Sequence, residues 1–194
     1  MIFTARKNLR LEVSDEQVEI LIGCLLGDAY LTKLGKIQIE QSDKQKEYIY
    51  WKHQMLASIS YPSSPKAVVR FEKSDQRVTK SFRFWTRQYF RIWRDKFYQG
   101  NRKVFPKDLV SWISPRAIAF WYMDDGCYQK FDCTLSTESF DEGSREQLIK
   151  RLSDFGIDAI PRGRGKIRIK SSSLSKFFEL VKPYMHHSML YKLP

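Results

Sequence analysis

Apolar positions recur along this chain with two alternating periods, and each change of period marks a new element. In "LEVSDEQVEILIGCLLGDAY", Val18, Leu21, Ile22 and Leu25 fall at helical spacing. Ser14 followed three residues later by Gln17 has the form of a capping box, so this helix should begin there and end near Gly27 and Asp28. The period then drops to two. In "AYLTKLGKIQIEQS", Ile37 and Ile39 share one face, while Lys36, Gln38 and Glu40 share the other, which predicts two short strands about a turn near Gly35. A second helix is expected over roughly residues 44–58, then a break at "YPSSP". A hairpin follows, turning near Asp75 and Gln76. "QYFRIWRDKFY" predicts a third helix, stopped by Gly100.

After "NRKVFPKDLVSWI", which reads as a connector, the order repeats. Ser114 and Pro115 mark a helix start, since proline at the first helical position loses no hydrogen bond. "CYQK" and "DCTLSTES" predict two strands, and "DEGSREQLIKRLSDFGI" a helix. "AIPRGRGKIRIK" predicts a hairpin around Gly163 to Gly165, and "SLSKFFELVKPYM" a last helix. The chain therefore divides into a first half over residues 1–100, a connector over 101–113 and a second half over 114–194. Superposing the halves sets "LIGCLLGDA" over "IAFWYMDDG", so that Asp28 matches Asp125 at an offset of 97 positions. Gly23 and Gly27 share a helical face that admits a close neighbour, and their mates are Phe120 and Asp124.

Charge now enters. The formal net charge is +12, which points to a polyanionic partner, nucleic acid first. The three cysteines, Cys24, Cys127 and Cys133, form no Cys-x-x-Cys pair, so neither a disulfide framework nor a zinc site is indicated. The expected setting is intracellular, either a bacterial or phage cytoplasm or an organelle matrix, with no secretory leader and no membrane partner.

The acids of "WYMDDG" stand at a helix C-terminus, where negative charge opposes the helix dipole. If the two repeated helices pack about a pseudo-two-fold axis, Asp28 and Asp125 meet, and a divalent cation relieves their repulsion. Oxygen-only donors suit Mg²⁺, which can activate water against a phosphodiester and stabilise the leaving oxygen. On the strands, "RGRGKIRIK" sets Arg162, Arg164, Lys166, Arg168 and Lys170 at every second position, a basic face for a phosphate-lined groove. Arg70, Arg83 and Arg87 extend that theme in the first half. His186 and His187 are adjacent and face apart, so they do not read as a metal pair. No histidine is placed to serve Ser136 or Thr137 as a base.

The two stretches "LIGCLLGDA" and "IAFWYMDDG", with strand pairs after each, resemble the paired signature of LAGLIDADG homing endonucleases. The form resembled is the monomeric one with two motifs. "SPRAIAFWYMDDG" and "KPYMHHSMLYKLP" are similar to the branch of the yeast mitochondrial intron-encoded enzyme. The first motif departs from the family pattern at Ile22 and the second at Phe120 and Asp124, where small residues are usual. The resemblance covers the chain from about residue 14 to the end. It implies an α+β fold of duplicated αββαββα units, with two saddle-shaped antiparallel sheets over double-stranded DNA. It also implies metal-dependent double-strand cleavage at a long asymmetric site, with Asp28 and Asp125 as catalytic acids and Mg²⁺ ligands. Lys103 in "NRKVFP" and Lys192 in "YKLP" match basic active-site positions, and Gln38 in "IQIEQ" matches a polar one, with Ser136 its weaker counterpart. An RNA-splicing maturase bound to intron RNA, or a DNA-binding regulator without catalysis, are the alternatives on this scaffold.

Overall fold

The structure is a computed structural model, and it describes residues 1–5, 8–72, 76–100 and 102–194. A short ribbon of β1 (Ile2–Thr4) and β2 (Arg10–Glu12), which the apolar pattern did not signal, precedes the first repeat. Helix α1 (Asp15–Leu26) starts at the expected box, with the Ser14 hydroxyl accepting from the Gln17 amide and the Gln17 side chain returning to the Ser14 amide. Strands β3 (Tyr30–Leu31) and β4 (Ile37–Ser42), helix α2 (Lys46–Met55), strands β5 (Lys66–Glu72) and β6 (Arg77–Trp85) and helix α3 (Arg91–Phe97) follow. Gly35 turns the first hairpin at φ +81°, where a side chain would strike the backbone of Arg91. Asp75, one of the two turn residues expected in the second hairpin, lies outside the described residues.

Helix bounds differ from the expectation at three places, and the last helix is one of them, ending at Val181 where a 3-10 turn over Lys182–Tyr184 takes over. Helix α2 is shorter, because 3-10 turns at Asp43–Gln45 and Ala57–Ile59 take its ends. Helix α3 gives way at Tyr98 rather than Gly100, because Tyr98–Gln99 (β7) pairs with Arg102–Lys103 (β8). Farther along the expected connector, Lys107–Trp112 form a 3-10 helix.

The second repeat comprises α4 (Pro115–Asp125), β9 (Gly126–Gln129), β10 (Asp132–Ser136), α5 (Glu142–Asp154), β11 (Ala159–Arg162), β12 (Lys166–Ile169) and α6 (Leu174–Val181). Ser114 caps α4 by accepting from the Ala117 amide, and Asp141 caps α5 by accepting from the Ser144 amide. Among the described residues the strands form two four-stranded antiparallel sheets, ordered β3-β4-β6-β5 and β11-β12-β10-β9. The fold is α+β, with αββαββα twice. Each sheet buries alternate residues, Ile37, Ile39 and Phe84 in one and Cys133, Leu135, Ile167 and Ile169 in the other. No helix among the described residues is long and apolar enough to cross a membrane.

The motif helices α1 and α4 pack along the middle of a continuous core. A Cβ placed on Gly23 would lie 2.6 Å from the Phe120 Cβ and 2.5 Å from the Ala117 carbonyl oxygen. One placed on Gly27 would lie 2.4 Å from the Asp124 Cβ. Each glycine of the first motif thus faces its own mate in the second. The large residues at Phe120 and Asp124 do not hold the helices apart, because the opposite helix offers no side chain there.

This packing makes Gly23 intolerant. Gly23→Ala should cost about 1–3 kcal/mol through overpacking against a backbone carbonyl. Gly143→Ala in α5, where a Cβ meets nothing within 4 Å, should be neutral or stabilising. Urea denaturation of both variants checks the contrast.

Candidate active site between the motif helices

Asp28 lies two residues beyond the last residue of α1, and Asp125 is the last residue of α4, so the helix crossing brings the two carboxylates into one charge cluster. Asp28 is exposed and Asp125 half-buried. Burial pushes the Asp125 carboxyl up to about 7, reinforced by Asp28 and Asp124 and opposed by Lys103 and Lys192. Burial pulls the Lys103 ammonium down to about 8, against the charges of Asp125, Asp28 and Asp124. Lys103 reaches the cluster from β8 at the start of the connector, where it bridges to Phe140 and lies over its ring. The structure therefore brings together Asp28, Asp125, Lys103 and Lys192, four of the five residues expected at the site.

Gln38 is placed elsewhere. It lies on the outer face of β4, where its amide reaches Glu40 at 3.4 Å. The glutamine that meets the acids is Gln41, three residues on and of opposite parity. Its amide donates to Asp28 Oδ2 at 3.0 Å and to Asp124 Oδ1 at 3.1 Å. Ser136, proposed as Gln38's counterpart, gives its backbone carbonyl to the Trp121 indole at 3.5 Å.

Asp124 is a buried anchor. Its side chain is 0% exposed, and Oδ1 accepts from Lys52 Nζ at 2.5 Å and from the Tyr48 hydroxyl at 2.9 Å. Lys52 and Tyr48 sit one helical turn apart on the buried face of α2, so this ion pair ties the first repeat to the second. Burial alone would lower the Lys52 ammonium, but the carboxylate of Asp124 outweighs it and holds Lys52 above its usual range. Lys52 and Tyr48 carried one sequence signal, a lysine on an otherwise apolar helix face. Its partner lies 72 residues away.

Lys192 has a further duty. Its ammonium donates to the carbonyls of Met123 at 2.6 Å and Gly126 at 3.0 Å, with Asp124 and Tyr122 carbonyls slightly farther. It therefore caps α4, satisfying carbonyls that the helix end leaves open and offsetting the dipole there. Burial lowers its pKa, against the pull of the three acids.

The expected basic faces are divided by the structure. The chain reverses at Arg164, which takes φ 64°, so Arg162 and Lys166 are cross-strand neighbours instead of members of one strand. Arg162, Lys166 and Arg168 share a face, but that face also holds acids. Asp132 pairs with Arg162 and with Arg168 at 3.0 Å, and Glu138 with Lys166 at 3.7 Å. Lys170 follows the end of β12. In the first half, Glu40 pairs with Arg70 and Arg83 at 2.5 Å each, and these with Ser81 hold its carboxyl down at about 2 despite burial. Arg87 lies beyond β6 and donates to the Ser60 carbonyl at 3.2 Å.

The donor set fits a hard divalent cation. Asp28 and Asp125 offer only oxygen, and Asp125 is reluctant to ionise beside two other acids unless positive charge arrives. No group of three or more side-chain ligands is preformed among the described residues. Mg²⁺ commonly takes one or two carboxylates and completes its shell with water and phosphate oxygens.

The model of the LAGLIDADG DNA endonuclease family matches residues 18–181, spanning both motif helices and both sheets. The chain belongs to this family. As a LAGLIDADG protein it is 29% identical over 200 residues to cytochrome b mRNA maturase bI2 of Debaryomyces hansenii, covering 96% of the chain and 76% of that relative. It is 28% identical over 197 residues to the protein of the same name from Saccharomyces cerevisiae, covering 91% of the chain but only 47% of that relative. Among solved structures it is similar to the homing endonuclease I-WcaI bound to its DNA recognition sequence. That likeness has a TM-score of 0.84 and 27% identity, and covers 95% of this chain and 88% of the other.

Two outcomes follow from the charges. Removing one member of the Lys52–Asp124 pair strands the other in the core, so Lys52→Met should cost about 3–5 kcal/mol. The double change Lys52→Met with Asp124→Leu should recover most of that loss, as a double-mutant cycle by urea denaturation would show. The second outcome concerns pH. Between about 4 and about 7 the folded, metal-free protein keeps a proton on Asp125 that the unfolded chain has released. Stability should therefore fall as pH rises through that window, and Asp125→Asn should flatten the fall. Thermal melts in EDTA from pH 4 to 8 measure it.

Proposed function

We propose that this chain is a Mg²⁺-dependent, site-specific double-strand DNA endonuclease acting as a monomer. One observation carries the reading. The two acids that end the paired motif helices, Asp28 and Asp125, share one charge cluster with Lys103 and Lys192, where each helix leads into the first strand of its own sheet. A carboxyl pushed up to about 7 near a lysine pulled down to about 8 favours a site for proton chemistry over a plain binding scaffold.

Asp28 and Asp125 would hold the metal. When bound, Mg²⁺ would supply water activation and charge stabilisation at the scissile phosphate. Lys103, nearly buried and close to neutrality at mildly alkaline pH, is suited to hold or pass a proton at a phosphate oxygen or at the attacking water. Lys192 contributes mainly through the end of α4, since its ammonium already serves that helix's carbonyls. Each half, residues 1–100 and 114–194, would take one half-site, with the connector over 101–113 supplying Lys103. Arg70, Arg83 and Arg87 would read or grip one half-site, and Arg162, Arg164, Lys166, Arg168 and Lys170 the other.

A second reading rests on the relatives' names, two of which are mRNA maturases. On that reading the same scaffold holds intron RNA, and tight binding of a structured intron transcript without any cleavage of duplex DNA would favour it.

The endonuclease reading is tested with a duplex site selected by the wild-type protein from a randomised library. Asp28→Asn and Asp125→Asn should each reduce double-strand cleavage by 100-fold or more, on the order of removing an essential charge-stabilising group. Binding to the same duplex should stay within a few-fold of wild type, and EDTA should abolish cutting. Normal cutting by either variant would remove that acid from the mechanism.

A further inference from the structure

The adjacent histidines of "MHHSML" have no part in the mechanism above, and their rings do not face apart as adjacency suggested. Their centres lie 4.1 Å from each other. Among the described residues they belong to no group of three or more side-chain ligands. His186 instead stands in the seam between the repeats. Its ring centre is 5.1 Å from that of Trp51 and 6.3 Å from that of Tyr48, both on α2. Its backbone amide donates to Met123 Sδ on α4 at 3.3 Å.

The His186 side chain caps a 3-10 helix over His187–Lys192. Nδ1 accepts from the Ser188 amide at 3.3 Å and lies 2.7 Å from the Ser188 hydroxyl. An amide only donates, so Nδ1 carries no proton, and the neutral imidazole has its hydrogen on Nε2. Met189 is fully buried midway along the helix. Lys192 stands at its far end, where the Tyr122 hydroxyl donates to the Lys192 carbonyl. The Lys192 ammonium bonds the carbonyls of Met123 and Gly126, which flank Asp125 in sequence. The cap therefore fixes the start of the segment that brings this cation to the end of α4.

A proton on Nδ1 would set donor against donor. An imidazolium donates from both nitrogens, so the Ser188 amide would lose its acceptor. Few charges face the ring. His187 lies beside it on the same segment, and Glu47 of α2 reaches His187 at 3.9 Å. The Tyr48 hydroxyl is committed to Asp124, as is Lys52, which lies over the Tyr48 ring. From α4 come Met123 and, behind Trp51, Phe120, neither of them charged. Burial and His187 hold the His186 imidazole below the usual histidine range, against the pull of Glu47. The neutral, capping form therefore persists into mildly acidic solution.

We propose that His186 is a positioning residue for Lys192. Its unprotonated Nδ1 caps the helix that delivers the lysine, and proton uptake there releases the cap and slackens the delivery. The consequence for cutting rests on the endonuclease reading above, whereas the cap itself does not.

Two variants separate the acceptor from the ring. His186→Asn keeps an acceptor near the place of Nδ1, cannot titrate, and loses most of the packing on Trp51. His186→Phe keeps a ring on Trp51 and has no acceptor. If His186 only fills space, the Phe variant is the better enzyme. If it caps, the order reverses. On the selected duplex with saturating Mg²⁺, His186→Asn should cut within about threefold of wild type at about pH 8, and His186→Phe should be slowed about tenfold, the scale of one lost cap. Duplex binding by both should stay within about threefold. Below about pH 6.5 the wild-type rate should fall more steeply than that of the Asn variant. A Phe variant that cuts as fast as the Asn variant overturns the positioning role. The metal-free protein without DNA supplies an independent arm. Nitrogen NMR of the imidazole should show an unprotonated Nδ1 at neutral pH, and hydrogen exchange at the Ser188 amide should quicken as His186 takes up its proton. A protonated Nδ1 at neutral pH, or a Ser188 amide indifferent to that titration, overturns the cap whether or not duplex is cut. A wild type that cuts no duplex but keeps both NMR signatures overturns the endonuclease reading and leaves the cap in place.

Discussion

Two helices related by a pseudo-two-fold axis must meet their own equivalents where they cross, and that constraint organises the molecule. If both mates carry side chains, the helices are pushed apart and the acids at their ends separate with them. Here the conflict is resolved in one direction. The first motif gives up its side chains at Gly23 and Gly27, and the second fills the space with Phe120 and Asp124. Close approach is kept, but symmetry is not. A homodimer built on one motif must place the same residue on both sides of its axis. A fused, duplicated chain is free to place a glycine on one side and a phenylalanine or aspartate on the other.

The asymmetry brings a charge into the core, and the structure answers it locally. Asp124 would be costly in that position without Lys52, Tyr48 and Gln41 around it. Replacing such a pair with apolar residues of similar volume is often neutral or stabilising, so its presence is weak evidence for stability alone. What it does supply here is orientation. It joins α2 of one repeat to α4 of the other and gives Gln41 a fixed point from which to hold Asp28. The acids at the end of α4 oppose that helix's dipole, yet Lys192 is threaded back from the chain's last residues to cap the same carbonyls. The charge cluster is then built from groups that each relieve another's cost.

These features also explain which parts of the structure the sequence revealed. Local rules succeeded where they decide the matter locally. Ser14 with Gln17, Ser114 with Pro115, and the alternation of Ile37 and Ile39 each mark their element within a few residues. Asp28 and Asp125 were visible because duplication displays them twice. Gln41 was not, although it stands on the apolar parity of its strand, where an amide needs a buried partner. Its partners lie 13 and 83 residues away, and no short window contains them. Gln38 was favoured by motif position alone, and one residue of strand parity separates an outward glutamine from an inward one. The even spacing of Arg162 to Lys170 was misleading for a related reason. It was read along one strand, whereas the chain folds back at Arg164 and makes neighbours of residues four apart.

That reversal matters for how a polyanion would be gripped. A face of five unpaired cations would repel itself and leave each side chain free to sample many rotamers. In the structure Glu40 sits between Arg70 and Arg83, and Asp132 between Arg162 and Arg168, one acid on a central strand of each sheet. Each acid lowers the net charge of its face but holds two guanidinium groups in set directions. Ordering a long side chain before contact removes part of the entropy cost that binding otherwise carries. An arginine already aimed can also meet a base edge bidentately, whereas a free one contributes mainly bulk charge. The acids on these faces therefore favour discrimination over raw attraction, which is the balance that the proposed site-specific activity would require. The overall charge of +12 leaves ample attraction for the rest of the backbone.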